Sequence, residues 1–490
     1  MIIEDLLYRQ KENNKVALIY KNRKLTFREW YLKSLELSKV LRKCIEKSNQ
    51  NIGLFLPNSI EYAISYFGIL FSKNVIVPFD IHSKSKEFTS TLEYCDVQVI
   101  ITKSEYESVI HKNFADYPKQ IIILFVDTLD VLVINQNNKK LCKKAQKFSN
   151  DLALLLHTSG TTSNPKRVML TNLNIITNIE SNISSLNINS NEIVLIALPM
   201  YFGYCNTAQF LTYLYLGGTI VIYDGLFIAS HFFKLVEKES ITSFTAVPTM
   251  LNIILKYRFF EKYNLNSLKY ISFGGGKIQT EILKQLLDKF PKIGFIQTYG
   301  QTEASPRITT LLPQDQTTKF GSVGKCIPGV RLKIVDEQNQ EVAYNVIGNI
   351  LVQGDNVTEG YYKNPEASSE IIENGWLNTG DIGYMDSEGY LFLKGRKKNI
   401  IISGGINIYP EEIEEILLNI ENVENVVVKS KKDINLGEVP IALIKVYDKN
   451  KVIDFYAYCE SRISKYKIPK EFILVDIIEQ TYNGKNKRNI

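Results

Sequence analysis

Hydroxyl side chains crowd a short stretch near residue 160, between two apolar runs. The crowded positions are Thr158, Ser159, Gly160, Thr161, Thr162 and Ser163. A loop of this composition offers backbone N–H groups and hydroxyl donors to an anion, and Lys166 adds a positive charge. Because the flanking apolar runs read as buried strands, the sequence predicts a phosphate cradle between two strands. Hydroxyl-rich loops alone are more often solvated turns, so the prediction depends on the motifs that accompany this one.

A second group of residues with chemical potential follows the apolar run 293–297. Tyr299 can stack on a purine, and Gly300 lets the backbone approach it closely. Glu303 can bind a divalent cation, because carboxylate oxygens are hard ligands. Taken alone, Tyr-Gly-Gln-Thr-Glu is a turn about as often as a site.

Two more charged residues lie in motifs nearer the end of the chain. Asp381 follows Gly380, and an aspartate presented after a glycine turn can accept both hydroxyls of a ribose. A helix or turn cap is the competing interpretation of Asp381. Lys485 follows Gly484, and although most tail lysines are simply solvated, this context favours a function.

Short apolar runs alternate with amphipathic segments through the first 300 residues. The runs 52–56, 75–78 and 97–102 read as strands, and capping residues Thr26 and Thr171 predict the starts of two helices. Such strand–helix–strand repetition predicts a parallel sheet covered by helices. The fold class expected is therefore α/β.

Composition changes twice in the second half of the chain. From Gly321 onward, glycines and short strand-like runs predict a small β subdomain attached to the α/β part. After residue 400, an acidic helix and further strands predict a compact α+β unit. We therefore expect an N-terminal domain of residues 1–395, a hinge at 396–400 and a C-terminal domain of residues 401–490.

Charge and cysteine usage argue against several classes of protein. The 490 residues include 58 basic and 52 acidic side chains, which give a net charge of +6. The two kinds are interspersed along the sequence, so the basic residues do not form the concentrated positive face that nucleic-acid binding requires. Six cysteines without a C-x-x-C pair indicate neither a zinc site nor a disulfide framework. The N-terminus is too polar for a secretion signal, and no apolar run reaches membrane-spanning length. We expect a cytoplasmic protein.

These motifs, in this order, resemble those of the adenylate-forming superfamily of acyl-CoA synthetases, nonribosomal adenylation domains and beetle luciferases. The resemblance spans nearly the whole chain. Three positions depart from the superfamily pattern: Ser163 and Arg167 stand where glycines are usual, and Asn172 stands where a histidine is common. Lys398 and the segment 403–412 are most similar to acyl-CoA synthetases.

The resemblance implies a role for each motif. Thr158, Ser159, Gly160, Thr161, Thr162 and Lys166 would hold the β- and γ-phosphates of ATP; Gly274, Gly275 and Gly276 would line the adenine and acyl sites. Tyr299 would stack on adenine, Thr302 would touch the α-phosphate, Glu303 would bind Mg²⁺, and Asp381 with Arg396 beside it would take the ribose. Tyr201, Phe202, Gly203 and Gly300 would line the pocket for the acid. Lys398 would be the hinge and Lys485 the lysine that acts in adenylation.

The implied reaction has two steps at one site. A carboxylic acid attacks the α-phosphate of ATP with Mg²⁺ present, forming an acyl-AMP and releasing pyrophosphate, and the acyl group then passes to a thiol. Because Lys485 must leave before the thiol enters, the C-terminal domain would be mobile. The thiol would belong to CoA or to the phosphopantetheine of a separate carrier protein.

Several alternatives stay open at this point. The acid is aryl or medium-chain acyl; an amino acid is less favoured, because the segment 201–206 has no aspartate for an amine. A stand-alone adenylation enzyme would load an amino or aryl acid onto a carrier protein. A non-catalytic nucleotide-binding relative and a luciferase-like oxidase are the remaining readings.

Overall fold

The computed structural model of the protein describes residues 1–45, 48–114, 117–134, 151–157, 166–276, 278–480 and 486–488. In these ranges the helices are α1 (Glu4–Tyr8), α2 (Phe27–Cys44), α3 (Ile60–Phe71), α4 (Ser85–Tyr94), α5 (Glu107–Phe114), α6 (Asn172–Leu186), α7 (Gly203–Cys205), α8 (Thr212–Leu216), α9 (Ala229–Glu239), α10 (Pro248–Lys256), α11 (Thr280–Lys289), α12 (Pro365–Ile371), α13 (Pro410–Leu418) and α14 (Phe455–Glu460). None of these described helices combines the length and the apolar character needed to cross a bilayer.

The strands form three sheets. They are β1 (Val16–Tyr20), β2 (Arg23–Thr26), β3 (Asn51–Leu54), β4 (Val75–Pro78), β5 (Val99–Thr102), β6 (Ile121–Phe125), β7 (Val131–Ile134), β8 (Leu152–His157), β9 (Arg167–Thr171), β10 (Ile193–Ile196), β11 (Thr219–Ile222), β12 (Ser243–Ala246), β13 (Tyr270–Phe273), β14 (Gly294–Gly300), β15 (Arg307–Leu311), β16 (Ser322–Cys326), β17 (Arg331–Val335), β18 (Gly348–Gln353), β19 (Ile372–Glu373), β20 (Trp376–Met385), β21 (Leu391–Arg396), β22 (Ile401–Ser403), β23 (Ile406–Ile408), β24 (Val423–Asp433), β25 (Gly437–Val446) and β26 (Glu471–Leu474).

A seven-stranded sheet has the order β7-β6-β5-β3-β4-β8-β9. Its central strands β3, β4 and β5 are parallel and buried on both faces, as their unbroken apolar runs predict. Helices α2 and α3 cover one face, where the indole N–H of Trp30 donates to the carbonyl of Ala63 at 3.0 Å. At the edge, β8 and β9 pair antiparallel, which sets the two ends of the predicted phosphate loop side by side.

A second sheet carries the parallel strands β1, β11, β10, β12, β13 and β14. Strands β13 and β14 run in register, with Phe273 opposite Gln297. Since parallel strands end at the same edge, Gly274, which follows β13, comes close to Thr298 near the end of β14. Their side of the sheet is thus where chemistry-bearing loops collect.

The antiparallel strands β15 to β21 extend this second sheet into a small β subdomain. Its own apolar cluster includes Ile308, Ile350 and Leu377. The α/β class with an attached β subdomain, predicted from alternation and glycine content, is therefore confirmed.

The C-terminal strands β22 to β26 form a separate five-stranded sheet with α13 and α14 packed on it. Its core is a cluster of its own, with Ile413, Val428 and Ile444 fully or almost fully buried. The predicted hinge at 396–400 lies between β21 and this sheet.

Candidate active site

The hairpin of β8 and β9 presents the predicted phosphate loop. The residues predicted to hold phosphate, Thr158, Ser159, Gly160, Thr161 and Thr162, lie outside the described residues, so their roles stay predictions. Lys166, where the described chain resumes, is half-buried immediately before β9. The hairpin therefore fixes where the lysine of this motif enters the site.

Lys166 belongs to a cluster with Tyr361 and Glu303. Its ammonium lies over the Tyr361 ring, 4.8 Å from the centroid. The Tyr361 hydroxyl in turn donates to Oε1 of Glu303 at 2.8 Å. Burial, reinforced by the Glu303 carboxylate, raises the pKa of Tyr361, so its phenol stays protonated as the donor.

Glu303 has the chemistry expected of a ligand for Mg²⁺. It lies on the one-turn helix Thr302–Ala304 directly after β14, and no described residue donates to its Oε2. No group of three His, Cys, Asp or Glu side chains that could hold a metal occurs in the described part of the chain. A single carboxylate suits Mg²⁺, which keeps waters and binds phosphate oxygens in addition.

Asp381 joins two other predicted residues. The Tyr299 hydroxyl donates to its Oδ2 at 2.7 Å, and the Nε of Arg396 lies 2.7 Å from its Oδ1. Asp381 follows Gly380, whose φ is +70°, and both residues lie inside the long strand β20, beside an irregularity in the pairing with β21. Residues predicted for adenine and ribose are thus brought into one hydrogen-bonded group.

Gly203 and Gly274 bring the predicted acid pocket and the predicted nucleotide motifs into contact. A Cβ atom added at Gly203 would lie 3.3 Å from Leu156 of β8 and 3.6 Å from Thr302. One added at Gly274 would lie 2.6 Å from the Thr298 carbonyl. Gly274 therefore has no room for a side chain and Gly203 has little, and the glycines let three chain segments meet.

The other pocket residues lie around this meeting point. Tyr201 and Phe202 pack with ring centroids 4.7 Å apart, and the Tyr201 hydroxyl donates to Asp80 at 3.0 Å. Gly275 and Gly276 are exposed, whereas a side chain at Gly300 would overlap the backbone of Pro306. The predicted pocket residues thus share one region of the large domain.

The predicted hinge residue Lys398 and the residues after Lys485 lie near the end of β21, the strand that carries Arg396. Lys398 lies in the turn Lys397–Asn399, where burial and then the neighbouring Arg396 lower its pKa. Lys485 lies outside the described residues, and its adenylation role stays a prediction. The residues after it are held: Asn486 bonds to Asn425 at 2.9 Å, and Arg488 pairs with the carboxylate of Glu414 at 2.7 Å.

Two family models match the chain. One, described as AMP-binding enzyme, matches residues 8–362, and the other, AMP-binding enzyme C-terminal domain, matches residues 412–485. The first covers well over half of the chain. The protein belongs to the AMP-binding enzyme family. The resemblance to adenylate-forming enzymes is thereby confirmed.

Characterised members of this family match over nearly the full length. The 2-succinylbenzoate–CoA ligase of Oceanobacillus iheyensis is 31% identical over 468 residues, covering 94% of this chain and 92% of that protein. The structure of O-succinylbenzoate coenzyme A synthetase from Bacillus subtilis with ATP and magnesium superposes with a TM-score of 0.86 at 28% identity, covering 98% and 97% of the two chains. A double mutant of that synthetase, bound with its product analogue OSB-NCoA, gives a TM-score of 0.71 at the same identity, covering 100% and 97%.

The departures from the family pattern occupy structural positions. Arg167 is the first residue of β9, and its buried guanidinium donates to Thr91 at 2.9 Å. Asn172 accepts from the backbone N–H of Ile3 at 2.9 Å, which ties the N-terminus to α6. Ser163 lies outside the described residues.

Sequence reasoning missed three residues around the site. Tyr361 and Asp80, described above, carry no motif that marks them. Arg307 is fully buried, donates to the Asn182 side chain, and lies beside Tyr204; its Nε has no partner among the described residues. An arginine directly before the β-branched run Ile308, Thr309 and Thr310 is the signal that could have found Arg307.

Proposed function

We propose that the protein activates an aryl carboxylic acid with ATP as an acyl-AMP and transfers the acyl group to CoA. The observation that carries this proposal is the convergence at Gly203, where the acid pocket, β8 and Thr302 meet within van der Waals distance. An enzyme that joins an acid to the α-phosphate needs these three features in contact, because the reacting atoms must approach to about 3–3.5 Å.

Each residue has a proposed role in this reaction. Thr158 to Thr162 and Lys166 would bind the β- and γ-phosphates, Thr302 the α-phosphate, and Glu303 the magnesium ion. Tyr299 would face the adenine, with Asp381 and Arg396 at the ribose. Lys485 would bring its ammonium to the α-phosphate during the first step, and Lys398 would be the hinge about which the C-terminal domain turns.

The charges fit the chemistry of the first step. A carboxylate and a triphosphate repel each other, and negative charge grows on the oxygens of the transferring phosphoryl group. Magnesium, when bound, would supply positive charge there. Lys166 lies at the phosphate loop and Lys485 would reach the same phosphates, so two ammonium groups would offset the repulsion; one such donor is typically worth about 10²–10³ in rate.

An aryl acid as the substrate is supported by the side chains of the proposed pocket and by the names of the relatives. Tyr201, Phe202 and Tyr204 surround the glycines of the pocket, and flat aromatic walls suit an aromatic acid. Several of the relatives that match the chain are named for 2-succinylbenzoate, and another is named for long-chain fatty acids. Medium-chain acids are the second candidate, because the same rings can pack on methylene groups.

Acid-dependent exchange of labelled pyrophosphate into ATP tests the proposal. We expect 2-succinylbenzoate or a related aryl acid to support the fastest exchange, and CoA then to yield a thioester without a carrier protein. Exchange with octanoate alone would move the assignment to medium-chain acids, and transfer only to a carrier phosphopantetheine would move it to a stand-alone adenylation enzyme. Absence of exchange with every acid, despite ATP binding, would identify a non-catalytic relative.

A substitution at Lys485 tests whether this residue acts in acyl-AMP formation and not in thioester formation. We expect Lys485→Ala to abolish acyl-AMP formation and to leave thioester formation from a supplied acyl-AMP largely intact. Lys487→Ala, two residues later, is the matched control, because its ammonium lies 3.2 Å from Glu479 on the tail itself. Equal loss of both steps in Lys485→Ala would contradict the proposed role.

We also propose a cytoplasmic location. The described cysteines Cys44, Cys95, Cys205, Cys326 and Cys459 are all free thiols. Free thiols are typical of reducing compartments, and the proposed co-substrates ATP and CoA are available there. Fractionation of the native host would test this location.

A further inference from the structure

Residues 358–362 form a short strap between the exit of the phosphate loop and Glu303. The backbone N–H of Thr358 donates to the Glu303 carbonyl at 2.9 Å. At the other end of the strap, the N–H of Tyr362 donates to the carbonyl of Arg167 in β9 at 2.8 Å. The strap therefore fixes the distance between the strand that follows Lys166 and the turn that carries Glu303.

Tyr361 is the strap residue that lies between the two charged groups. Its side chain is only 6% exposed, so the ring has little freedom to move. The ammonium of Lys166 lies over the face of this ring, and the hydroxyl at the far end of the ring bonds to Glu303. Lys166 and Glu303 form no ion pair with each other in the described structure, because the ring separates them.

We propose that Tyr361 is a positioning residue that orients Glu303 for magnesium and keeps Lys166 from neutralising it. A carboxylate held through Oε1 leaves Oε2 for the cation, and an ammonium held on an aromatic face keeps its N–H donors for phosphate. Without the ring, Lys166 and Glu303 would pair, and both would have to separate again when Mg²⁺ and ATP bind. This inference rests on the proposed function, since it assigns a role within the same nucleotide site.

A purely structural role is the competing explanation, because Tyr361 also packs in the main apolar core. The neighbouring Tyr362 offers a matched control. It is fully buried, and its hydroxyl donates to another carboxylate, Asp96, at 3.0 Å. Removing either hydroxyl costs one buried hydrogen bond to a carboxylate, and at Tyr362 also the bond that its hydroxyl accepts from the Asn51 amide at 3.1 Å. Only Tyr361, however, touches the residues proposed to bind nucleotide and metal.

ATP binding measured by calorimetry, without any acid, tests the proposal independently of turnover. We expect Tyr361→Phe to raise the Mg²⁺ concentration that half-saturates tight ATP binding by about tenfold, the usual effect of losing one charge-assisted hydrogen bond. ATP binding without Mg²⁺ should change little, because the phenylalanine ring still carries Lys166. Tyr361→Leu, which removes the ring, should weaken Mg²⁺-free binding as well.

Tyr362→Phe should lower the unfolding temperature by at least as much as Tyr361→Phe and leave the Mg²⁺ dependence unchanged. In a Glu303→Gln background, Tyr361→Phe should have no further effect on the Mg²⁺ dependence, because the two residues act as one unit. Equal Mg²⁺ dependence in Tyr361→Phe and Tyr362→Phe, or a full tenfold effect that persists in Glu303→Gln, would overturn the proposal. Failure of the unsubstituted protein to bind ATP would instead reject the proposed function.

Discussion

His157 is the last residue of β8 and stands directly before the predicted phosphate loop. It pairs with Arg167 across the hairpin. Burial, and after it the positive charge of Arg167, lowers the pKa of His157 from 6.5 to about 4. The imidazole is therefore neutral in the folded protein wherever the protein is near neutral pH.

This shift predicts a pH dependence of stability. Between pH 4 and 6.5 the unfolded chain binds a proton at His157 that the folded chain does not, so the free energy of unfolding falls as the pH falls through this window. We expect His157 to contribute a loss of about 2 kcal/mol between pH 7 and pH 5. This loss is measured by urea unfolding of the unsubstituted protein and of His157→Gln at pH 7 and at pH 5. An identical pH dependence in the two proteins would contradict this account.

At the scale of single residues, short motifs predicted site residues that composition alone could not identify. Glu303, Asp381 and Arg396 were predicted from their motifs, and the structure places Asp381 and Arg396 in direct contact. Tyr361 could not be predicted, because its contact with Glu303 spans 58 residues and depends on the path of the strap. A tyrosine in a Gly-Tyr-Tyr sequence has no chemical signal until that path is known.

At the scale of elements, the start of α6 joins local capping to long-range contact. Thr171 and Asn174 cap the helix reciprocally, each side chain accepting from the other's backbone N–H. The amide of Asn174 also donates to the carbonyls of Asp355 and Val357 at 2.7 and 2.8 Å. The sequence predicted the cap from Thr171, but the second function of Asn174 requires the turn that precedes the strap.

Three substitutions separate the capping of α6 from the hydrogen bonds that Asn174 donates to the carbonyls of Asp355 and Val357. We expect Thr171→Ala to lower the free energy of unfolding by about 1 kcal/mol, the usual value of a cap. Asn174→Ala should cost about 3 kcal/mol, because it also leaves two carbonyls without their donor. Asn174→Asp keeps an acceptor for the cap but removes the donor, so it should cost nearly as much as Asn174→Ala. Denaturant unfolding measures all three, and an equal cost for Thr171→Ala and Asn174→Ala would show that the bridging bonds contribute nothing.

Regular elements were predictable here because their causes are local. Unbroken apolar runs gave the buried parallel strands β3 to β5, and Thr26 with Glu29 gave the capping box of α2. The strap and the long strand around Asp381 were not predicted, since neither has a periodic pattern. Each is held mainly by bonds to distant segments, and single-sequence patterns do not report such bonds.

At the scale of the whole molecule, the α/β part and the C-terminal sheet contact each other away from the predicted hinge. Lys256, at the end of α10, donates to the Tyr447 hydroxyl just after β25 at 2.8 Å. The chain also matches the ATP-bound relative more closely than the relative bound to a product analogue. We propose that the arrangement seen here serves the first step of the proposed reaction.

Bridging residues 256 and 447 covalently should separate the two steps. We expect Lys256→Cys/Tyr447→Cys, joined by a short bismaleimide, to keep acyl-AMP formation within about threefold and to lose thioester formation by more than about tenfold, because the C-terminal domain can no longer turn. Pyrophosphate release in a single turnover measures the first step, and chromatography of the acyl-CoA measures the second. Each single-cysteine variant, treated with the same reagent, controls for modification of native cysteines such as Cys44. If the bridged protein completed both steps at the rates of these controls, the reaction would require no turning of the C-terminal domain, and the division of labour between Lys485 and the incoming thiol would need another explanation.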